Sequence, residues 1–311
     1  MESGTGEQRH FHIYVPQRVP AAPDVLLFFH GFDGQGRRDC EAVKAHEKAE
    51  TLGFVAVCPD ALGSPLQLAR SCVHSPECHP SGHDIAVGSA EQDWSLNNTT
   101  GRYWRAYPHG GYSLWWNRHL LGTPDDGPQD ALWAVDELLP WVLARVHILG
   151  VGGDPRVFVS GLSLGAAMAF RVACEHTEKF AGLLIANEAF LDPDTGWGPE
   201  ASGFPPTCRL PRTFRSWQAQ SDNDFWYGLE DKGRMSYELG WRDFTTRAMG
   251  CAGRSIEVWR SPTGNVTCEE YPGCAARLCR YHALGHDPAF ILLKDRELKG
   301  WEAGWKYITA R

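Results

Sequence analysis

The stretch Val157–Phe170, VFVSGLSLGAAMAF, passes from apolar and β-branched residues through small ones into a second apolar run. At its centre lies Gly161-Leu162-Ser163-Leu164-Gly165. In a Gly-x-Ser-x-Gly turn the glycines let the chain swing sharply from strand to helix without a Cβ clash. The serine Oγ is then exposed at the helix N-terminus. The same five residues also suit an N-capping serine flanked by glycines for close packing. The flanks favour the first reading, because VFVS has strand character and LGAAMAFRVAC has helix character.

A serine hydroxyl is a weak nucleophile at neutral pH and needs a base that is itself oriented by a third group. Two downstream segments offer these partners, each just beyond an apolar strand-like run. Residues 213–219 lead into Ser221-Asp222-Asn223-Asp224, which carries two candidate acids. Residues 278–283 lead into Leu284-Gly285-His286-Asp287, where the glycine frees the backbone beside a candidate base, His286. A tetrahedral oxyanion needs two backbone N–H donors. Leu164 follows the nucleophile and supplies one; Phe32, after His30-Gly31, supplies the other. His282 is a rival base, but it is placed inside its strand, where packing or a sheet hydrogen bond is expected of it. His30 is expected to orient the oxyanion loop rather than to transfer protons.

Working outward, His10 to Val15 alternates like a strand, and Val25 to Phe29 and Phe54 to Val57 read as strands buried on both faces. Helices are expected over 39–51, 129–146 (kinked or divided by Pro140), 163–176, 233–249 and 288–309, with further strands at 156–160, 180–186 and 255–260. Strands alternating with helices imply an α/β fold, a mostly parallel sheet with helices on both faces. Residues 61–118 break the rhythm. They are rich in Gly, Ser, Pro, His, Trp and Tyr, and read as a long aromatic insertion packed over one end of the sheet. The expectation is one catalytic domain over 10–311 with this insertion within it.

Composition narrows the function classes. The 311 residues, 43% hydrophobic and 22% charged, suit a globular protein of one large domain or two small ones. No apolar run reaches the roughly 18 residues of a membrane span. The net charge of −8 disfavours a nucleic-acid or anionic-membrane partner. Thirteen Trp and 14 Phe exceed what a core requires, so some are expected to line a groove for apolar or ring-shaped ligands.

The even count of ten cysteines, several close in sequence, favours disulfides and an oxidising compartment. Overlapping sequons at Asn97-Asn98-Thr99-Thr100 and another at Asn265-Val266-Thr267 agree with a secreted glycoprotein. The opening MESGTGEQRH is polar and does not read as a signal peptide. Cys251, Cys268, Cys274 and Cys279 are expected to pair among themselves. Cys58 and Cys174, in apolar elements, are read as free buried thiols. Cys72-x-His74-x-x-x-Cys78-His79-x-x-x-His83 has metal-ligand character, but its spacing fits no common zinc pattern. A Cys72–Cys78 disulfide is the simpler expectation, and no metal or cofactor is assigned.

On these residues the chain resembles the extracellular polyhydroxybutyrate depolymerase and feruloyl esterase family of α/β-hydrolases, over nearly its whole length. His10-Phe11-His12-Ile13-Tyr14-Val15-Pro16 is similar to the family's first strand, and Phe28-Phe29-His30-Gly31 to its oxyanion strand, where Phe32 often stands as Cys. Trp116-Asn117, followed by Asp125-Asp126, is similar to the Trp-Asn and Asp ahead of the family's long helix. Arg156-Val157-Phe158-Val159-Ser160-Gly161-Leu162-Ser163 is close to the family's nucleophile strand. The acid-loop register selects Asp222 over Asp224, with Gln218-Ala219 in place of His-Gly and Trp226 in place of Pro.

The resemblance implies an α/β-hydrolase fold and a serine carboxylesterase acting through Ser163, His286 and Asp222. Phe32 and Leu164 would form the oxyanion hole, and Trp115, Trp116 and Trp226 are candidate substrate contacts. The expected substrates are feruloyl-type esters or polyhydroxyalkanoate-like polyesters. A peptidase on the same fold and a non-catalytic binding protein are the alternatives; the first lacks room for the usual propeller or cap, and the complete triad speaks against the second.

Overall fold

The computed structural model describes residues 9–31, 35–61, 130, 133–148, 154–187, 208–221, 244–282 and 300–310. Among them nine strands form one sheet: β1 (Phe11–Tyr14), β2 (Asp24–Phe29), β3 (Phe54–Pro59), β4 (Val157–Leu162), β5 (Gly182–Ala186), β6 (Arg215–Ser221), β7 (Ile256–Arg260), β8 (Val266–Glu270) and β9 (Ala276–Tyr281). Their order is β1-β3-β2-β4-β5-β6-β9-β8-β7. The six strands from β3 to β9 in that order run parallel. β1 pairs antiparallel at one margin, and β8 and β7 antiparallel at the other.

Period-two alternation divides each central strand between two cores. Val25, Leu27, Phe29, Val57, Val159 and Ile185 face one layer. That layer holds α4 (Leu164–Glu175) and α3 (Leu139–Ile148), the latter preceded by a wider π-helical segment, Trp133–Leu138. Leu26, Phe28, Ala56, Phe158 and Leu184 face the opposite layer. There α1 (Gly36–Ala42), α2 (Ala45–Leu52) and α5 (Gly300–Thr309) bring Cys40, Ala49, Trp301 and Trp305 against them. The central strands read as continuous apolar runs because both faces are buried. The mostly parallel, doubly covered sheet is the one expected. At the far end of the nucleophile strand from the site, Arg156 donates two hydrogen bonds to the Asp24 carboxylate, 3.0 and 2.8 Å, tying β4 to β2.

Several boundaries differ from expectation for identifiable reasons. The expected helix over 39–51 is two helices, broken where Lys44 takes a left-handed φ of 55°. The division near Pro140 is present: π-helix gives way to α-helix at Leu139, where the proline lacks the N–H that the ladder would use. Strand 213–219 instead runs from Arg215 to Ser221, and 278–283 runs from Ala276 to Tyr281. β8 was not anticipated; its alternation is short, and Glu269 and Glu270 mask it. The described parts of the helices expected at 233–249 and 288–309 are a π-helical segment, Phe244–Ala248, and α5. The insertion beyond Ala61 lies outside the described residues.

The cysteine expectations are corrected in part. Cys251–Cys274 and Cys268–Cys279 pair within the expected group, the latter directly across β8 and β9. Cys58 and Cys174 are not free thiols: Cys58 pairs with Cys40 and Cys174 with Cys208. Apolar surroundings report burial, and a buried cysteine on a strand can still face one on the covering helix, as Cys58 faces Cys40. Cys72 and Cys78 lie outside the described residues, as do Asn97 and Asn98.

Candidate active site

Ser163 follows β4 directly and precedes α4, with φ 55° and ψ −122°. An N-capping serine holds an extended backbone and uses its side chain to accept from the first turn. Here the backbone is left-handed and the side chain makes no capping hydrogen bond. Such a conformation costs about 1–3 kcal/mol in a non-glycine residue and persists only where the surroundings over-determine it. The surroundings do so. Ser163 N–H donates to the Ala186 carbonyl at 3.0 Å, and its own carbonyl accepts from Ala166 N–H at 2.9 Å. The flanking glycines permit the turn. A Cβ at Gly161 would lie 2.1 Å from the Gly165 carbonyl oxygen, and one at Gly165 would lie 2.1 Å from that of Phe29. Leu164 begins α4, so its backbone N–H is among the helix's first donors, which have no partner within the helix.

The loop after β2 approaches the same point. A Cβ on Gly31 would lie 3.6 Å from Ser163 Cβ. Two side chains anchor this loop. Fully buried His30 accepts from Ala61 N–H through Nε2 at 3.1 Å, which leaves the ring proton on Nδ1 to donate to the Gly31 carbonyl at 2.7 Å. Asp39 Oδ2 accepts Gly31 N–H at 3.2 Å, and its carboxylate also accepts from the Gln35 backbone. One carboxylate therefore gathers both ends of the loop that contains Phe32. Burial pushes the Asp39 carboxyl above the usual carboxylate range, opposed by Arg38 and those backbone donors. Beyond the loop, Asp60 accepts Gly36 N–H at 2.6 Å.

Because β2, β4, β5, β6 and β9 are parallel neighbours, their C-terminal ends share one rim, in the order His30-Gly31, Ser163, Asn187, the chain to Asp222, and the chain toward His286. From β2 the chain goes outward to β3 and then returns to β4 on the other side. Ser163 and the His30-Gly31 turn thus flank a topological switch point, where open α/β sheets bind ligands. Phe32, Asp222, His286, Trp115, Trp116 and Trp226 lie outside the described residues. Ser221, the residue before Asp222, ends β6. His282 is the first residue past β9 rather than inside it. Its N–H donates to the Asn265 carbonyl at 2.8 Å, and Nε2 lies 3.3 Å from Thr267 Oγ1. It is engaged with the antiparallel margin.

A solved acetyl xylan esterase from Aspergillus awamori superposes with a TM-score of 0.58, over 96% of this chain and 93% of its own, at 14% identity. The fold is the α/β-hydrolase fold. An S-formylglutathione hydrolase from Agrobacterium tumefaciens gives a TM-score of 0.54 over 99% of this chain and 92% of its own, at 16% identity. No family model and no curated protein matches the sequence. On this α/β-hydrolase rim, sequence reasoning did not reach Asp39, Asp60 or Asn187. Asp39 and Asp60 acquire their partners, Gly31 N–H and Gly36 N–H, only once the helix after the loop is docked on β3. Asn187 acquires partners only once β5 and β6 are neighbours, a relation no local pattern carries.

Proposed function

We propose that this α/β-hydrolase is a serine carboxylesterase with Ser163 as nucleophile. The observation that carries the reading is the left-handed Ser163 backbone, with a side chain free of any capping bond, at the sheet's switch point. His286 takes the Ser163 Oγ proton as Oγ attacks the ester carbonyl carbon, and Asp222 holds the imidazole in the required tautomer. The N–H groups of Leu164 and Phe32 receive the oxyanion. His30 supports this reading by holding the Gly31 carbonyl, the last described group before Phe32. The tetrahedral adduct collapses as His286 returns the proton to the departing alcohol. Water then cleaves the acyl-enzyme by the same route.

The favoured substrates are feruloyl-type or acetyl esters of plant-wall polymers, or polyesters. The aromatic insertion 61–118, with Trp115 and Trp116, and Trp226 in the acid loop would select among them. Four disulfides among the described residues support secretion, and exposed Asn265, in the turn between β7 and β8, supports a glycan there. The test is Ser163→Ala with a short p-nitrophenyl ester. Turnover should vanish while the fold persists, and surviving hydrolysis would reject the nucleophile. Asp222→Asn should collapse kcat where Asp224→Asn does not. A panel of feruloyl esters, acetylated xylan, polyhydroxybutyrate and aromatic polyesters then identifies the acyl group.

A further inference from the structure

We infer that Asn187 is a positioning residue for the acid of the triad, an inference that rests on the serine-esterase reading above. Asn187 directly follows β5, is fully buried, and has φ 48°. Besides Ser163 and Lys44, it is the only described non-glycine residue with positive φ. Asparagine visits this region more readily than most residues.

Its hydrogen bonds explain why the site needs it. In a regular parallel ladder a residue donates its N–H to one partner and accepts at its carbonyl from the N–H two positions further along. Asn187 N–H makes the first of these bonds, to the Ala219 carbonyl at 2.9 Å. The second should run from Ser221 N–H to the Asn187 carbonyl. The left-handed turn takes that carbonyl out of the ladder, and the side-chain Oδ1 accepts Ser221 N–H instead, at 3.0 Å. The amide thus completes the β6 ladder after the β5 backbone has left it. Ser221 is fully buried and is the residue before Asp222. The same β5 end holds the nucleophile, since the Ala186 carbonyl accepts Ser163 N–H. A hydrogen-bonded path therefore runs from Ser163 through Ala186 and the Asn187 side chain to Ser221, where β6 ends. Asn187 sets where that end of β6, one residue before Asp222 in sequence, lies relative to Ser163.

The test is a cycle between Asn187→Gly and Asp222→Asn, read by steady-state hydrolysis of p-nitrophenyl acetate with thermal unfolding in parallel. Glycine keeps the left-handed backbone and removes the carboxamide that accepts Ser221 N–H. In the wild-type background Asn187→Gly should lower kcat by about 10- to 100-fold, the scale of an ångström-level misplacement, with KM within about twofold. The acid limb of kcat/KM should move to lower pH, because the imidazolium loses its carboxylate. In the Asp222→Asn background the same change should cost less than about threefold, since residues acting as a unit are not additive. Equal losses in both backgrounds or an unmoved pH profile would overturn the assignment. Ser163→Ala, run alongside, separates the two readings: its full activity would reject the esterase mechanism itself, whereas its inactivity beside an unimpaired Asn187→Gly would reject only Asn187.

Discussion

Gly165→Ala tests the packing that builds the nucleophile turn. A Cβ at this position would lie 2.1 Å from the Phe29 carbonyl oxygen and 2.2 Å from that of His30. Both are backbone atoms at the end of β2, so no side chain can rotate away. Opening the 2.1 Å approach to the 3.0 Å that real Cβ contacts keep would move the start of α4 by about 0.9 Å from the oxyanion loop. Overpacking against backbone at a fixed site costs about 3 kcal/mol, which in a chain this size lowers Tm by roughly 5 °C. A displacement near 1 Å between nucleophile and oxyanion donors should also lower kcat/KM by about 100-fold. Gly31→Ala is the control, because its Cβ would make only ordinary contacts at 3.5 and 3.6 Å and its φ is not positive. It should unfold within about 2 °C of wild type. Circular dichroism melts and p-nitrophenyl acetate hydrolysis measure both quantities. A Gly165→Ala protein with wild-type Tm and turnover would refute the close approach of α4 to β2.

Three further outcomes follow from the packing. Replacing Cys174 and Cys208 by Ala removes a crosslink spanning 34 residues between the end of α4 and the approach to β6; denaturant unfolding should show a loss of about 4 kcal/mol. Burial pushes the half-buried Glu175 carboxyl up to about 7. The native state then holds this proton more tightly than the unfolded chain, so stability is highest below the ordinary carboxyl pKa and declines as pH rises toward 7. Glu175→Gln should therefore stabilise by about 1–2 kcal/mol at pH 8, after discounting for solvent screening, and by nothing measurable at pH 4. Arg9 and Asp130 form a buried ion pair joining segments 121 residues apart. Arg9→Met alone should cost about 3–5 kcal/mol, and adding Asp130→Leu should recover most of it.

The sequence disclosed the sheet's parallel centre because residues buried on both faces must be apolar throughout, as in Val25–Phe29 and Val157–Val159. Ser163 was legible because its turn requires glycines on both sides, a demand written within five residues. The antiparallel margin was legible only in part: the strand expected at 255–260 is β7, whereas β8 was missed because Glu269 and Glu270 mask its short alternation. Of the supports of the site, His30 was expected to orient the oxyanion loop, but Asp39 and Asn187 were hidden for a different reason. They act through backbone groups of segments that become neighbours only when the sheet assembles, and a backbone N–H leaves no mark on sequence. The Cys40–Cys58 and Cys174–Cys208 pairs likewise depend on which helix covers which strand.

The nucleophilic character of Ser163 is tested most directly by mapping the covalent adduct formed with a fluorophosphonate ester. Peptide mass spectrometry should find the phosphonyl group on Ser163, with ester hydrolysis lost in proportion to labelling and no adduct on Ser163→Ala protein. An inactivated enzyme with unmodified Ser163, or labelling that proceeds equally in the alanine variant, would contradict the account.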